Sequence, residues 1–369
     1  MMRSWLVVLV CLAPAAHVMA AEGDLSHADV FVSGKDGYHA YRIPALETAP
    51  DGSLLAFAEA RKYNLSDPGM EKNEIDLVFK RSTDCGRTWS AMKVIEHAGQ
   101  RWSAANPATV VDGQNGRVWL HYLRCKPDRS ADTARPGTDD VQNLLRYSDD
   151  NGVTWSAPTD LTSIARDMSD KQWRCSVVGP GGAIQDRKGR LVAAVWKVAP
   201  WGVFAIYSED HGRTWNRGQP VPGNHAGDEN QLVELADGRL LMDYRQQNGP
   251  HRWMTASSDG GATWSEPRPG LVVTPVCCAI ERYTLQTSGD DRNRILWTGP
   301  KGPGRAKLVI RVSYDEADTF SNERPISAES AAYSDLTVLK DKTVGVLWER
   351  GDYRFITFTR LTREFLEPR

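Results

Sequence analysis

Short runs of apolar, β-branched and aromatic residues recur along the chain. They read IDLVFKRS at 75–82, NLLRYS at 143–148, FAIYS at 204–208 and LVIRVS at 308–313. Two more, ADVFVS at 28–33 and FITFTRL at 355–361, lie near the two ends. Runs this short, alternating or rich in β-branched and aromatic residues, predict strands. The pattern therefore predicts an all-β chain.

The first four runs each lead into a repeated segment. STDCGRTW begins at Ser82, SDDNGVTW at Ser148, SEDHGRTW at Ser208, SSDGGATW at Ser257 and SYDEADTF at Ser313. Each keeps S-x-D-x-x-x-T; the first four add G-x-T-W, where the last has Ala317 and Phe320. The starts are 66, 60, 49 and 56 residues apart. A period of about 40 to 60 residues with strand-like flanks predicts a β-propeller, one blade per repeat. A mature chain of about 350 residues at a mean spacing of about 58 makes room for six blades. The sixth would pair FITFTRL with an N-terminal strand such as ADVFVS. In each hairpin turn the Asp is expected to accept backbone N–H groups and the Gly to supply a positive φ. The Thr hydroxyl bonds inside the turn, and the Trp ring inserts between strands while its N–H finds a partner. Five equivalent turns cannot all reach one site, so Asp84, Asp150, Asp210, Asp259 and Asp315 read as frame.

Composition narrows the function classes. The net charge is −2 and the 25% of charged residues are well mixed, which gives no basic surface for nucleic acid. One basic residue, an apolar run from Trp5 to about Ala16 and small residues to Ala21 predict a signal peptide over 1–21. That run is too short for a permanent membrane span. Residues 22–369 are then expected as one exported propeller, periplasmic or secreted, or lysosomal in an animal. Cys85, Cys125, Cys175, Cys277 and Cys278 remain after cleavage, an odd number whose spacing fits neither a zinc site nor a dense disulfide framework. One or two bridges have room to form. No metal or cofactor is expected.

Between the repeats stand segments that a frame alone does not need. They are YRIPAL at 41–46, LLAFAEARKYNLSD at 54–67, GDENQLVELADGRLLMDYR at 227–245, GPGRAKLVIRVSYD at 302–315 and YSDLTVLKDKTVGVLWER at 333–350. With the turns, this ordered set resembles the sialidase (exo-neuraminidase) family of bacterial and animal type, from about residue 35 to residue 355. The resemblance implies an exo-α-sialidase that removes terminal sialic acid from glycoproteins, glycolipids or oligosaccharides with retention. Arg42, Arg245 and Arg305 match the family's three arginines for the sugar carboxylate, which guanidinium forks grip bidentately. Tyr333 matches the nucleophile, a tyrosine because a carboxylate would be repelled by the anionic anomeric centre. A phenol, with a reference pKa of about 10, needs a base to remove its proton, and Glu229 matches that base. Asp67 matches the acid that protonates the leaving oxygen and later deprotonates water. Arg61 matches a further pocket arginine, and Glu349 the group that holds Arg42 in place.

For the N-acetyl pocket, Trp173 is the expected lining residue and Trp102 the alternative. Cys175-Ser176-Val177-Val178 departs from the aromatic and Thr more common in that segment. Asp243 stands where Asn is more usual and has no reading from sequence.

Two further readings remain open. A non-catalytic glycan-binding propeller would use the same repeats but has no need of an activated nucleophile. A trans-sialidase would keep the site and change the acceptor; such enzymes commonly carry an added lectin-like domain, for which this length leaves no room. Hydrolysis is the expectation.

Overall fold

The computed structural model describes residues 25–223, 225–247 and 249–368. The expected signal segment, residues 1–21, lies outside them. The described residues are all-β; the two α-helices among them, Thr162–Ala165 and Arg363–Leu366, are four residues each. No helix among the described residues is long and apolar enough to cross a membrane.

The apolar runs are strands: Ile75–Ser82, Val141–Ser148, Gly202–Ser208, Leu308–Ser313 and Phe355–Leu361. The strands form antiparallel meanders, and hydrogen bonding groups them into five sheets. Residues 227–272 and 279–325 each make a four-stranded sheet, and residues 175–217 a five-stranded one. A nine-stranded sheet holds two meanders, 40–96 and 103–160, joined by the parallel pair Ile75↔Ser103. The last sheet takes 331–361 and adds Leu25–Val32, which runs antiparallel to Phe355–Leu361 from Leu25↔Leu361 to Val32↔Phe355. The early run therefore does pair with the last one. First strands of most successive meanders pack against one another, and Leu191–Val198 packs against Gly227–Glu234, which makes the arrangement propeller-like.

Sheets stacked face to face bury both sides of their strands. Val233, Leu241, Ile280, Trp297 and Val309 interlock between two of them. Each large apolar side chain buried this way contributes about 1.5–3 kcal/mol. Leu54–Arg61 is buried along its whole length, which is why LLAFAEAR shows no alternation.

All five repeats build one turn. The Asp accepts the Thr N–H at 2.8–2.9 Å and the Thr hydroxyl at 2.6 Å. The Ser hydroxyl donates to the Asp and accepts the N–H of the Gly, or of Ala317 in the last copy. Sequence reasoning placed one left-handed residue in the turn, but there are two in succession, such as Cys85 at φ 59° and Gly86 at φ 84°. The Gly is also a contact point between sheets. A Cβ on Gly86 would stand 2.0 Å from Phe358, and one on Gly212 2.2 Å from Trp119. Trp89 and Trp215 donate their indole N–H to the turn Gly carbonyl, whereas Trp155 and Trp264 have no such partner among the described residues.

Candidate active site

Four inner strands break register beside one cavity. The breaks fall between Arg42 and Ala45, Ala105 and Ala108, Gly227 and Asn230, and Ala331 and Ser334. A bulge re-aims the side chains next to it, and here it turns Arg42, Asn106, Glu229 and Tyr333 toward common ground. Two bulge residues sit in the left-handed region, Ile43 at φ 57° and Asn106 at φ 51°. That conformation is strained for a β-branched residue and persists only where partners hold it. The Ile43 N–H donates to Glu349 at 2.9 Å and the Asn106 N–H to Glu59 at 3.0 Å.

The same two carboxylates orient arginines. Glu349 accepts from Arg42 Nε at 2.5 Å and also takes the Tyr333 N–H at 3.1 Å. Glu59 accepts from Arg61 Nη2 at 2.7 Å. One buried acid thus fixes a strained backbone and a guanidinium together.

At the centre, the Tyr333 hydroxyl donates to Glu229, whose two oxygens lie 2.6 and 2.7 Å away. Arg245 Nη1 donates to Glu229 at 2.7 Å and to the Tyr333 hydroxyl at 3.0 Å. Arg42 and Arg305 stand with their guanidinium carbons each 5.3 Å from the Tyr333 ring centre. Three arginines distant in sequence therefore surround one phenol. Burial, and next the Glu229 charge, push the Tyr333 phenol well above its usual range, while Arg245, Arg42 and Arg305 pull the other way. The hydroxyl keeps its proton until a base takes it, and Glu229 is in contact to do so.

Asp67 lies on the loop after the strand Leu54–Arg61. Its carboxylate is 3.1 Å from Arg61 Nη2, yet its side chain is 67% exposed. An acid fixed on one side and open on the other can exchange protons with solvent.

A cavity of about 280 Å³ adjoins this group. Arg61, Asp67, Asp228, Glu229, Arg245 and Tyr333 make its polar wall, and Leu123, Val141, Val177, Trp196 and Trp201 its apolar wall. Trp196 and Trp201 stack with ring centres 5.5 Å apart and planes 10° from parallel. Trp173 does not line this cavity, which corrects the sequence expectation. It is 5% exposed, its indole N–H faces the Cys175 carbonyl at 3.1 Å and the Ser176 hydroxyl at 3.0 Å, and its edge meets Phe204. Those inward bonds tie it into the core. Trp102 is also absent from the lining, which takes Val177 from the divergent CSVV segment. A larger cavity, about 470 Å³, lies further along the same inner strands beside Glu47 and Glu281 and touches none of the bonded group at Tyr333.

Two residues escaped sequence reasoning. The Tyr353 hydroxyl accepts from Arg305 Nη1 at 2.9 Å, and Arg42 stacks 4.2 Å from the Tyr353 ring centre. Its only signal was its place four residues after Glu349. Asp243 is the buried partner of Arg252 at 2.8 Å and accepts the Trp297 indole N–H at 3.0 Å. A buried guanidinium calls for a carboxylate where an amide would leave it uncompensated. All five described cysteines are free thiols.

Residues 39–346 match the model of the BNR repeat-like domain. A sialidase from Clostridium perfringens is 32% identical over 71% of this chain and 70% of its own length. The chain belongs to the sialidase family. A second relative, a sialidase from Micromonospora viridifaciens, is 33% identical over 88% of this chain, which spans 52% of that protein's length. Among solved structures, the Hadza microbial sialidase Hz136 superposes with a TM-score of 0.83 at 27% identity, covering 92% of this chain and 69% of that one. This family member thus shares fold and sequence with sialidases over most of its described length.

Proposed function

We propose that the chain is an exo-α-sialidase that hydrolyses terminal sialic acid from glycoproteins, glycolipids or oligosaccharides with retention. The observation that carries this reading is the Tyr333–Glu229 hydrogen bond inside a ring of three arginines. Arg42, Arg245 and Arg305 take the sugar's carboxylate. Glu229 accepts the phenolic proton as the Tyr333 oxygen bonds to the anomeric carbon. The bond to the aglycone oxygen breaks, and Asp67 gives that oxygen its proton. Water then attacks the anomeric carbon, Asp67 takes the water's proton, and Tyr333 leaves and regains its own from Glu229. Two displacements at one carbon retain its configuration.

The same reading counts the nine-stranded sheet as two blades, which makes a six-bladed propeller over residues 22–369. It also assigns residues 1–21 to export, with the mature protein periplasmic or secreted.

The test is release of sialic acid from a panel of linkage-defined sialosides, with the first-formed anomer followed by NMR. Early appearance of the α-anomer supports the reading. Binding without release would favour a glycan-binding propeller, and transfer to a sugar acceptor in place of water a trans-sialidase.

A further inference from the structure

The three arginines around Tyr333 differ in how many carboxylates they face. Arg305 has no carboxylate partner among the described residues, and Arg42 has Glu349. Arg245 has two: Glu229, 2.7 Å from Nη1, and Asp228, 3.0 Å from Nε. Asp228 is 3% exposed and borders the same cavity. It is held on every side, accepting the Gln247 amide at 2.6 Å through one oxygen and the Glu229 N–H at 2.8 Å through the other.

This corner has a charge conflict. With both acids ionised, Arg245 carries one positive charge against two negative ones, and an arriving sugar carboxylate would add a third. Like charges packed in a buried site disfavour each other's ionisation. One proton resolves the conflict, and geometry decides where it goes. Glu229 faces the Tyr333 hydroxyl and has to be ionised to take the phenolic proton, whereas Asp228 touches no reacting group, so the added proton falls to Asp228. The charged groups facing Asp228 are Glu229 on its own strand, Arg245 on Leu240–Gln246 and Arg252 on His251–Ser257, the last already paired with Asp243. Burial first, and the Glu229 charge second, raise the Asp228 carboxyl, with Arg245 and Arg252 opposing.

We infer that Asp228 is a positioning residue: ionised, it holds Arg245 in the empty site, and it takes up a proton when an anionic sugar binds. The sugar's carboxylate then replaces the Asp228 charge on Arg245. This inference rests on the sialidase reading above and adds to it a rule for recognition. Because the complex holds a proton that the empty site releases, affinity for an anionic ligand falls as pH rises through the empty site's titration.

The experiment is calorimetry of the full chain with the 2,3-didehydro analogue of sialic acid, in buffers of different ionisation enthalpy. Well above the titration, which burial raises to about 7, the wild-type chain is expected to take up about one proton per ligand bound, and its affinity to fall about tenfold per pH unit there. D228N is expected to bind with no proton uptake and a flat pH dependence. In turnover, KM should rise with pH in the wild type and stay level in D228N, with kcat keeping its own profile. D228A, which loses both the charge and the anchor for Gln247, should bind weakly at every pH, so D228N acts as its rescue. Zero proton uptake by a wild-type chain that binds and turns over would overturn the inference alone, without any variant. Equal uptake by D228N and wild type would do the same. A wild-type chain that neither binds the analogue nor releases sialic acid would sink the sialidase reading itself.

Discussion

Asp150 and Asp335 are the same side chain in opposite surroundings. Asp150 sits in a surface turn, where the hydroxyl and N–H of Thr154 hold its carboxyl down at about 2. Asp335 lies on an inner strand, two residues after Tyr333, and burial pushes it up to about 6 although Leu46 N–H and Gln231 donate to it. Glu47 and Glu281, beside the larger cavity, are pushed up to about 8, chiefly by burial. The turn acid is made to stay charged and the inner acid to give up its charge. Repetition in the sequence therefore marks the frame, and the acids that occur once mark the interior where chemistry is possible.

Tyr333→Phe should strike the interior hardest, lowering turnover by about 10³-fold or more while the thermal unfolding curve stays in place. Glu229→Gln should cost about 10²–10⁴-fold in kcat, since the phenol loses its base. Retained turnover in either variant would break the contrast between frame and site.

Asp243→Ala should act on stability instead. It leaves the Arg252 guanidinium buried and unpaired, at a cost of about 3–5 kcal/mol read by denaturant unfolding.

The two classes of acid should also give stability opposite slopes with pH. Glu47 and Glu281 hold protons in the folded chain that the unfolded chain has released, so stability falls as pH rises from about 4.5 to about 8. The turn acids do the reverse. Their contribution is present above about pH 4 and lost as pH falls toward about 2. Unfolding measured across pH should peak between these limbs, and Glu47→Gln should flatten the alkaline one. The smallest effect belongs to Asp259→Ala, about 1 kcal/mol of stability for the lost Thr263 and Ser257 bonds, with kcat/KM unchanged.

Much of this was legible because strands and turns write local signals. The strand runs, the turn chemistry and the pairing of an early strand with the last all follow from short stretches of residues. The grouping of Arg42, Arg245, Arg305, Tyr333, Glu229 and Glu349 was legible only as an ordered set of segments, since nothing local says that residues so far apart meet. What escaped depends on aim. Trp173 was expected in the cavity wall, but an indole near a pocket turns inward when a carbonyl and a hydroxyl wait for its N–H. Tyr353 lies in a hairpin loop whose contacts come from two other sheets, and Asp243 makes sense only once Arg252 and Trp297 are beside it. The bulges at Ile43 and Asn106 were hidden for the same reason, because their support comes from Glu349 and Glu59 on neighbouring strands.

The seam between Leu25–Val32 and Phe355–Leu361 joins strands that are made far apart in time. The early strand leaves the ribosome without a partner and must wait until more than three hundred residues have followed. Through that interval its backbone groups are open to mispairing with other nascent chains. A circular permutant with residues 25 and 361 linked and a new break in an exposed turn would shift the wait to another sheet, and its refolding yield would report how much that delay matters.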